Sequence, residues 1–310
     1  MGRLVVVGSS NTDMILQLPR LPQAGETVLA GRASTAAGGK GANQAVAAAR
    51  TDTEVSLVAR VGKDSFGEHA LAGFSADGID TRFCSVDEDT PSGIAQIFVS
   101  ASGENCIGVA PGANATLSPA HIEAAAEAFS GAKVVLLQLE IPLASVEHAA
   151  ALGRSSDALV ILNPAPACEL PDSIWSLVDI ITPNETEAEL LTGVRIETVH
   201  DADAAADVLH SKGVPTVLIT LGEKGVYLST REGSTAAPSR MFPAFKATAV
   251  DTTAAGDVFN GCLAAALTRG ETLEWSVNFA QAAAALSIQT LGAQNSAPVI
   301  GDIDSFLESR

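Results

Sequence analysis

The chain has 310 residues, 47% of them hydrophobic and 4% aromatic, with a formal net charge of −18 at neutral pH. That length suits one large α/β core, and no uncharged apolar run reaches the roughly 18 residues of a membrane-spanning helix. So acidic a surface, with no Lys/Arg cluster to offset it, repels nucleic acid and anionic membranes, and the scarcity of aromatics argues against a base-stacking groove.

Residues 3–7 are an apolar, β-branched run that breaks into Gly8-Ser9-Ser10-Asn11-Thr12-Asp13. This predicts a buried first strand ending in a polar turn, where open α/β sheets hold their ligands. The run is too short for a signal peptide, so the cytoplasm is the expected location. The four cysteines, Cys84, Cys106, Cys168 and Cys262, show neither C-x-x-C nor metal-ligand spacing and read as buried free thiols. Asn11 and Asp13 point to one side of an extended chain and could grip adjacent hydroxyls; an ordinary Asx turn is the alternative. Short segments at 14–18 and 27–30, broken by Pro19, Pro22 and Gly25, read as antiparallel strands outside the main sheet. Gly38-Gly39-Lys40-Gly41-Ala42-Asn43-Gln44 then opens an Ala-rich helix over 42–50. It is not a Walker A loop, because Ser34 and Gly41 occupy the first-glycine and Ser/Thr positions, but its glycines admit a ligand to the backbone.

Strand 55–59, a helix from Ser65 to Ala76 and a strand-like 79–86 begin an alternation of β and α elements. A hairpin over 92–100 and 106–109 interrupts it and, with 14–35, could build a second small sheet. Helix 118–129, strand 134–139, helix 143–153 and strand 159–162 resume the alternation, which predicts parallel strands joined by crossover helices. Strand ends deliver Glu140, Asn163 and Asn184-Glu185-Thr186-Glu187. Asn184 and Glu187 could serve a hydrated Mg²⁺ or simply cap a helix. A strand, a glycine turn and a second strand over 217–226 could border a nucleotide. Two long apolar helices over 255–290, the turn 292–296 and a helix at 302–309 close the chain.

Asp251-Thr252-Thr253-Ala254-Ala255-Gly256-Asp257 opens the first of those late helices. Side chains this small leave the unpaired N–H groups of the first turn open to an anion, and Asp257 beside them could take a proton from a hydroxyl. That is the minimal apparatus for phosphoryl transfer to an alcohol; a plain helix cap is the alternative.

These segments together resemble the ribokinase family of sugar and nucleoside kinases, along essentially the whole chain. The stretches that carry it are 8–13, 38–45, 112–114, 138–140, 163–167, 182–189, 219–222 and 251–257. The resemblance implies a ribokinase-like three-layer α/β/α fold over 1–310, mostly parallel in its central sheet, with a small β-sheet lid from about 12–36 and 93–110 that also forms a homodimer contact. It implies ATP-dependent phosphorylation of D-ribose at O5, with Asn11, Thr12, Asp13, Gly38, Gly39, Lys40, Gly41, Ala42, Asn43 and Glu140 around the sugar. Asp257 would be the base and Ala254, Ala255 and Gly256 the anion hole. Asn184, Thr220, Leu221, Gly222, Glu223, Lys224, Gly225, Gly256, Asp257 and Gln281 would border ATP. Glu187 would organise Mg²⁺ through water, and Asp251, Thr253, Ser287, Thr290, Gly292 and Ser296 would surround K⁺. Ala254 stands where many relatives carry glycine, and a methyl group is expected to fit. Other kinases of the same family, acting on 2-deoxyribose, fructose or a nucleoside, and a catalytically silent sugar-binding regulator are the rival readings. A nicotinamide dehydrogenase is disfavoured because no G-x-G-x-x-G follows the first strand.

Overall fold

The computed structural model describes residues 2–232, 235–236 and 238–310. Strand β1 (Arg3–Val7) sends Leu4 and Val6 into one apolar cluster and Val5 and Val7 into another, as a strand covered on both faces must. Strands β2 (Asn11–Leu18) and β3 (Arg32–Gly38) lie outside its sheet, and β4 (Glu54–Gly62) and β5 (Cys84–Asp87) return to it. Strands β6 (Gly93–Ser100) and β7 (Asn105–Ala110) leave again. The sheet is completed by β8 (Ala132–Leu137), β9 (Leu159–Leu162), β10 (Ile180–Ile181), β11 (Thr216–Thr220), β12 (Val226–Glu232), β13 (Thr235–Ala236) and β14 (Arg240–Phe242).

The order across the ten-stranded sheet is β13-β12-β11-β10-β9-β8-β1-β4-β5, with β14 also paired to β12. Every pair from β5 to β11 is parallel, and β12 runs antiparallel to β11. Parallel neighbours need crossovers, and the crossover helices form the outer layers. Leu143–Ser155, Glu185–Thr192 and Val199–Ser211 bury Ala149, Leu191 and Ala205 on one face; Lys40–Ala49, Ser65–Ala76, Ala255–Thr268, Leu273–Ser287 and Ile300–Glu308 bury Val46, Phe74, Leu263, Phe279 and Ile303 on the other. The chain is thus the expected three-layer α/β/α sandwich. From β1 it goes to β4 on one side and later crosses to β8 on the other, so the direction of winding reverses beside β1. There the carboxyl ends of the strands open a crevice.

The second sheet has the order β3-β2-β6-β7, with β2 and β6 parallel. Only Gly8-Ser9-Ser10 separates β1 from β2, so this sheet stands on the carboxyl end of β1. The strand expected over 27–30 does not form: Leu29 is 85% exposed in irregular chain, and the partner of β2 is Arg32–Gly38 instead. Small residues with little β-propensity become a strand there because they complete the hydrogen-bond ladder of β2. The helix expected over 118–129 is two, Pro119–Ala124 and Ala126–Phe129, broken where Ala125 takes φ −95° and ψ 12°. Helix Val199–Ser211 was not foreseen, although its capping box, Thr198 with Asp201, is readable in the sequence. Of the four cysteines expected to be buried only Cys262 is; Cys84 and Cys168 are half-buried, and Cys106 is exposed on the outer strand β7. Among the described residues no helix is long and apolar enough to cross a membrane.

Candidate active site

Helix Ala255–Thr268 is capped by Ala254 in the left-handed conformation, φ 58° and ψ 11°. That backbone costs an L residue about 1–2 kcal/mol, which is why glycine suits the position. The turn leaves the N–H groups of Gly256 and Asp257 without an acceptor among the described residues. A Cβ on Gly256 would meet nothing within 4 Å and the residue is exposed, so the start of the helix is open beside those donors. Asp257, by contrast, is buried. Its Oδ2 accepts from Asn43 Nδ2 and its Oδ1 from Gln44 Nε2, each at 2.9 Å. Burial pushes its pKa up, with Lys40, Asn43 and Gln44 opposing part of that rise. A raised carboxylate pKa makes a better base near neutrality.

The glycine-lysine turn is pressed against the end of β1. Gly39 has φ 89°, and a Cβ there would lie 2.7 Å from the Asn11 nitrogen; one on Gly41 would lie 2.6 Å from Gly8. No residue but glycine allows this approach. Ala42 N donates to the Ser9 carbonyl at 2.8 Å. Glu140 Oε2 accepts from Lys40 N at 3.0 Å and from Ser9 Oγ at 2.5 Å. Burial pulls the Lys40 ammonium down, but Asp257, Glu140 and Glu187 outweigh it and leave its pKa raised. Asp13 is pushed up to about 6 by burial, then by Glu140 and Asp257. Its carboxylate lies against Gly38, where a Cβ would sit 2.4 Å from Oδ1. Asn11 Oδ1 accepts from Asn114 Nδ2 at 2.8 Å, while the buried Asn43 Oδ1 has no donor among the described residues. Strand alternation turns Thr12 to the other face of β2 from Asp13, and with Asn11, Thr35, Phe66 and Gln294 it lines a cavity of about 310 Å³.

Further along the crevice, Asn184 caps helix Glu185–Thr192 and bridges to Thr220. Asn184 N donates to Glu187 Oε2 at 2.8 Å and Glu187 N to Asn184 Oδ1 at 2.9 Å, so the capping arrangement is present. Burial, above all, raises the Glu187 pKa. The turn Leu221 to Gly225 is closed by Leu221 N donating to Gly225 O at 2.8 Å, and it places Gly222, Glu223 and Lys224 in a single 3-10 turn. Gln281 is buried on helix Leu273–Ser287; among the described residues its Nε2 has no partner, and no polar contact ties it to the other residues named. Asp251 joins two loops: Oδ1 accepts from Thr253 N and Oδ2 from Gly292 N, both at 2.9 Å. Thr290 N donates to Ser287 O, and Ser296 Oγ to Ala293 O, in the same region.

Ser9 and Gln44 carry no role in the sequence reading, yet they hold Glu140 and Asp257. The signal for Gln44 was its place one residue after Asn43; for Ser9 there was none beyond its position at a strand end.

Residues 1–300 match the pfkB family of carbohydrate kinases. The chain is 44% identical over 305 residues to the ribokinase of Haemophilus influenzae, covering 98% of each. It is 39% identical over 305 residues to the deoxyribokinase of Salmonella typhi, again covering 98% of each. The structure of Arabidopsis thaliana ribokinase complexed with ribose and ATP superposes with a TM-score of 0.93 at 34% identity, covering 99% of both chains. On this match of fold, length and sequence, the chain belongs to the pfkB family of carbohydrate kinases.

Proposed function

We propose that this chain is a ribokinase, transferring the γ-phosphoryl group of ATP in line to the 5-hydroxyl of D-ribose. The observation that carries the reading is the pairing of a buried carboxylate of raised pKa, Asp257, with unpartnered N–H groups in the same helical turn. The full-length relatives named ribokinase, and the neighbour holding ribose and ATP, support it.

In this mechanism Asn11, Asp13, Glu140, Asn43 and the backbone from Gly38 to Ala42 hold the sugar hydroxyls. Asp257 takes the proton of the attacking alcohol while the Ala254 to Gly256 turn receives the transferring group. ATP lies along Asn184, the turn Thr220 to Gly225 and Gln281. Among the described residues Glu187 Oε1 has no donor, and no group of three His, Cys, Asp or Glu side chains able to hold a metal ion occurs. That donor set fits a Mg²⁺ that keeps its waters and arrives with the phosphates, whose charge it neutralises. The two loops tied by Asp251, with Thr253, Ser287, Thr290, Gly292 and Ser296, are rich in the oxygen donors a K⁺ needs. The chain acts as one domain with the four-stranded sheet as a lid that excludes water. The exposed Ile107 and Val109 on β7 support a homodimer through that sheet, and four free cysteines suit the cytoplasm.

A sugar panel with ATP tests the substrate. Ribose is expected to give the highest kcat/KM, against 2-deoxyribose, fructose and a nucleoside; a higher value for 2-deoxyribose would move the assignment to that sugar, and no sugar-dependent ADP release would leave a silent regulator. Rates in matched chloride salts are expected to be higher with K⁺ than with Na⁺, and equal rates would remove the monovalent site.

A further inference from the structure

Beneath the crevice, buried amides and one hydroxyl are linked in a single directed chain. Gln138 Nε2 donates to Gln44 Oε1 at 2.6 Å. Gln44 Nε2 divides its two protons between Asp257 Oδ1 at 2.9 Å and Asn163 Oδ1 at 3.0 Å. Asn163 Nδ2 donates to the Thr182 carbonyl at 3.2 Å, Thr182 Oγ1 to Asn260 Oδ1 at 2.6 Å, and Asn260 Nδ2 to the Gly256 carbonyl at 2.8 Å. All of these side chains are buried.

We infer that Gln44, Asn163, Thr182 and Asn260 are positioning residues that fix the Asp257 carboxylate and the Gly256 peptide relative to each other; the inference rests on the kinase reading above. The direction of each link is forced. Were the Gln44 amide reversed, its oxygen would face two acceptors, Asp257 Oδ1 and Asn163 Oδ1, with no proton between them. Were Asn260 reversed, its oxygen would face the Gly256 carbonyl. One end of the chain therefore grips the base and the other grips the peptide of the anion turn, while the middle is anchored on the carboxyl ends of β8, β9 and β10. Gln44, Thr182 and Asn260 are buried with their polar atoms turned onto one another, Asp257 and the Gly256 carbonyl, so their effect on the reaction passes through Asp257 and Gly256. Reacting groups displaced by about 1 Å can lose about 10²-fold in rate, so a device that registers base and anion turn against each other acts on turnover.

The test compares Gln44→Met, Thr182→Val and Thr182→Ser with the parent, measuring ribose-dependent ADP release against pH. Gln44→Met keeps the volume and deletes the donor to the charged form of Asp257, so the carboxylate pKa rises and the acid limb of kcat moves to higher pH. Turnover is expected to fall about tenfold or more with ribose KM within about twofold. Thr182→Val is expected to lower kcat and Thr182→Ser to restore it, because only the hydroxyl orients Asn260. A network that served only to satisfy buried polar groups would change melting temperature and leave the pH profile alone. The relay is overturned by a Gln44→Met enzyme with the parental kcat and acid limb, or by Val and Ser variants at 182 that behave alike. If Gln44→Met fails to fold, the pair at 182 still decides. A parent with no ribose-dependent ADP release sinks the kinase reading instead, and an active parent with unmoved variants sinks the relay alone.

Discussion

Asp257→Asn is expected to lower kcat for ribose by about 10²-fold or more while ribose KM stays within a few-fold. The substitution keeps shape and volume but removes the only group in the first turn of helix Ala255–Thr268 that can accept a proton. Asn43 and Gln44 now face an amide, which can offer an acceptor to one of them only, so a modest loss of stability accompanies the loss of rate. The pH dependence gives a second reading. Asp257 acts ionised, and burial has raised its pKa, so kcat of the parent falls as pH drops through that raised value. The variant has no such limb. For kcat/KM, which reports the free enzyme, Asp13 at about 6 contributes a limb of its own. Removing the Asp257 charge removes one of the forces raising Asp13, so this limb shifts to lower pH in the variant. Coupled ADP-release assays across the acid range measure all of this, and near-parental turnover in Asp257→Asn would take proton transfer away from the residue.

The sequence was most legible where a residue's neighbours in the chain decide its conformation. Residues 3–7 and 159–162 are β-branched or leucine-rich runs between turn residues, and they form β1 and β9 with little boundary error. The same holds for helix Ser65–Ala76, whose N-cap, Asp64, accepts from Gly67 N. Pairing across the small sheet was not legible in that way. Thr27-Val28-Leu29-Ala30 has the better β-propensity but no partner, whereas Arg32–Gly38 has the poorer one and lies against β2 along its length. At the site, the ionisable and glycine-rich groups could be named because their chemistry is local: Asp257 beside small residues, Lys40 among glycines, Asn11 and Asp13 at alternate positions. The chain from Gln44 through Asn163 and Thr182 to Asn260 could not, because each link joins elements 19 to 119 residues apart and none has a distinctive spacing. The left-handed Ala254 was also hidden, since nothing in an alanine announces a positive φ and only the backbone reveals the strain.

Gly256→Leu is expected to lower kcat/KM for ATP by about 10²-fold or more without lowering the melting temperature. Because a Cβ at 256 meets nothing within 4 Å, the fold has no contact to lose. Leucine is also a better helix former than glycine by about 1 kcal/mol, so helix Ala255–Thr268 gains if anything. What the new side chain does take is the space over the unpartnered N–H groups of Gly256 and Asp257, the donors assigned here to the transferring phosphoryl group. Removing one such donor from an enzyme typically costs about 10²–10³ in rate, and covering the turn obstructs more than one. Ribose grips other groups, so its thermal shift in the absence of ATP should persist in the variant. Loss of activity together with a lower melting temperature would point to damage to the helix and not to an occupied anion turn. Full activity with leucine in place would show that the phosphoryl group passes elsewhere, since an open helix start and a blocked one would then turn over alike.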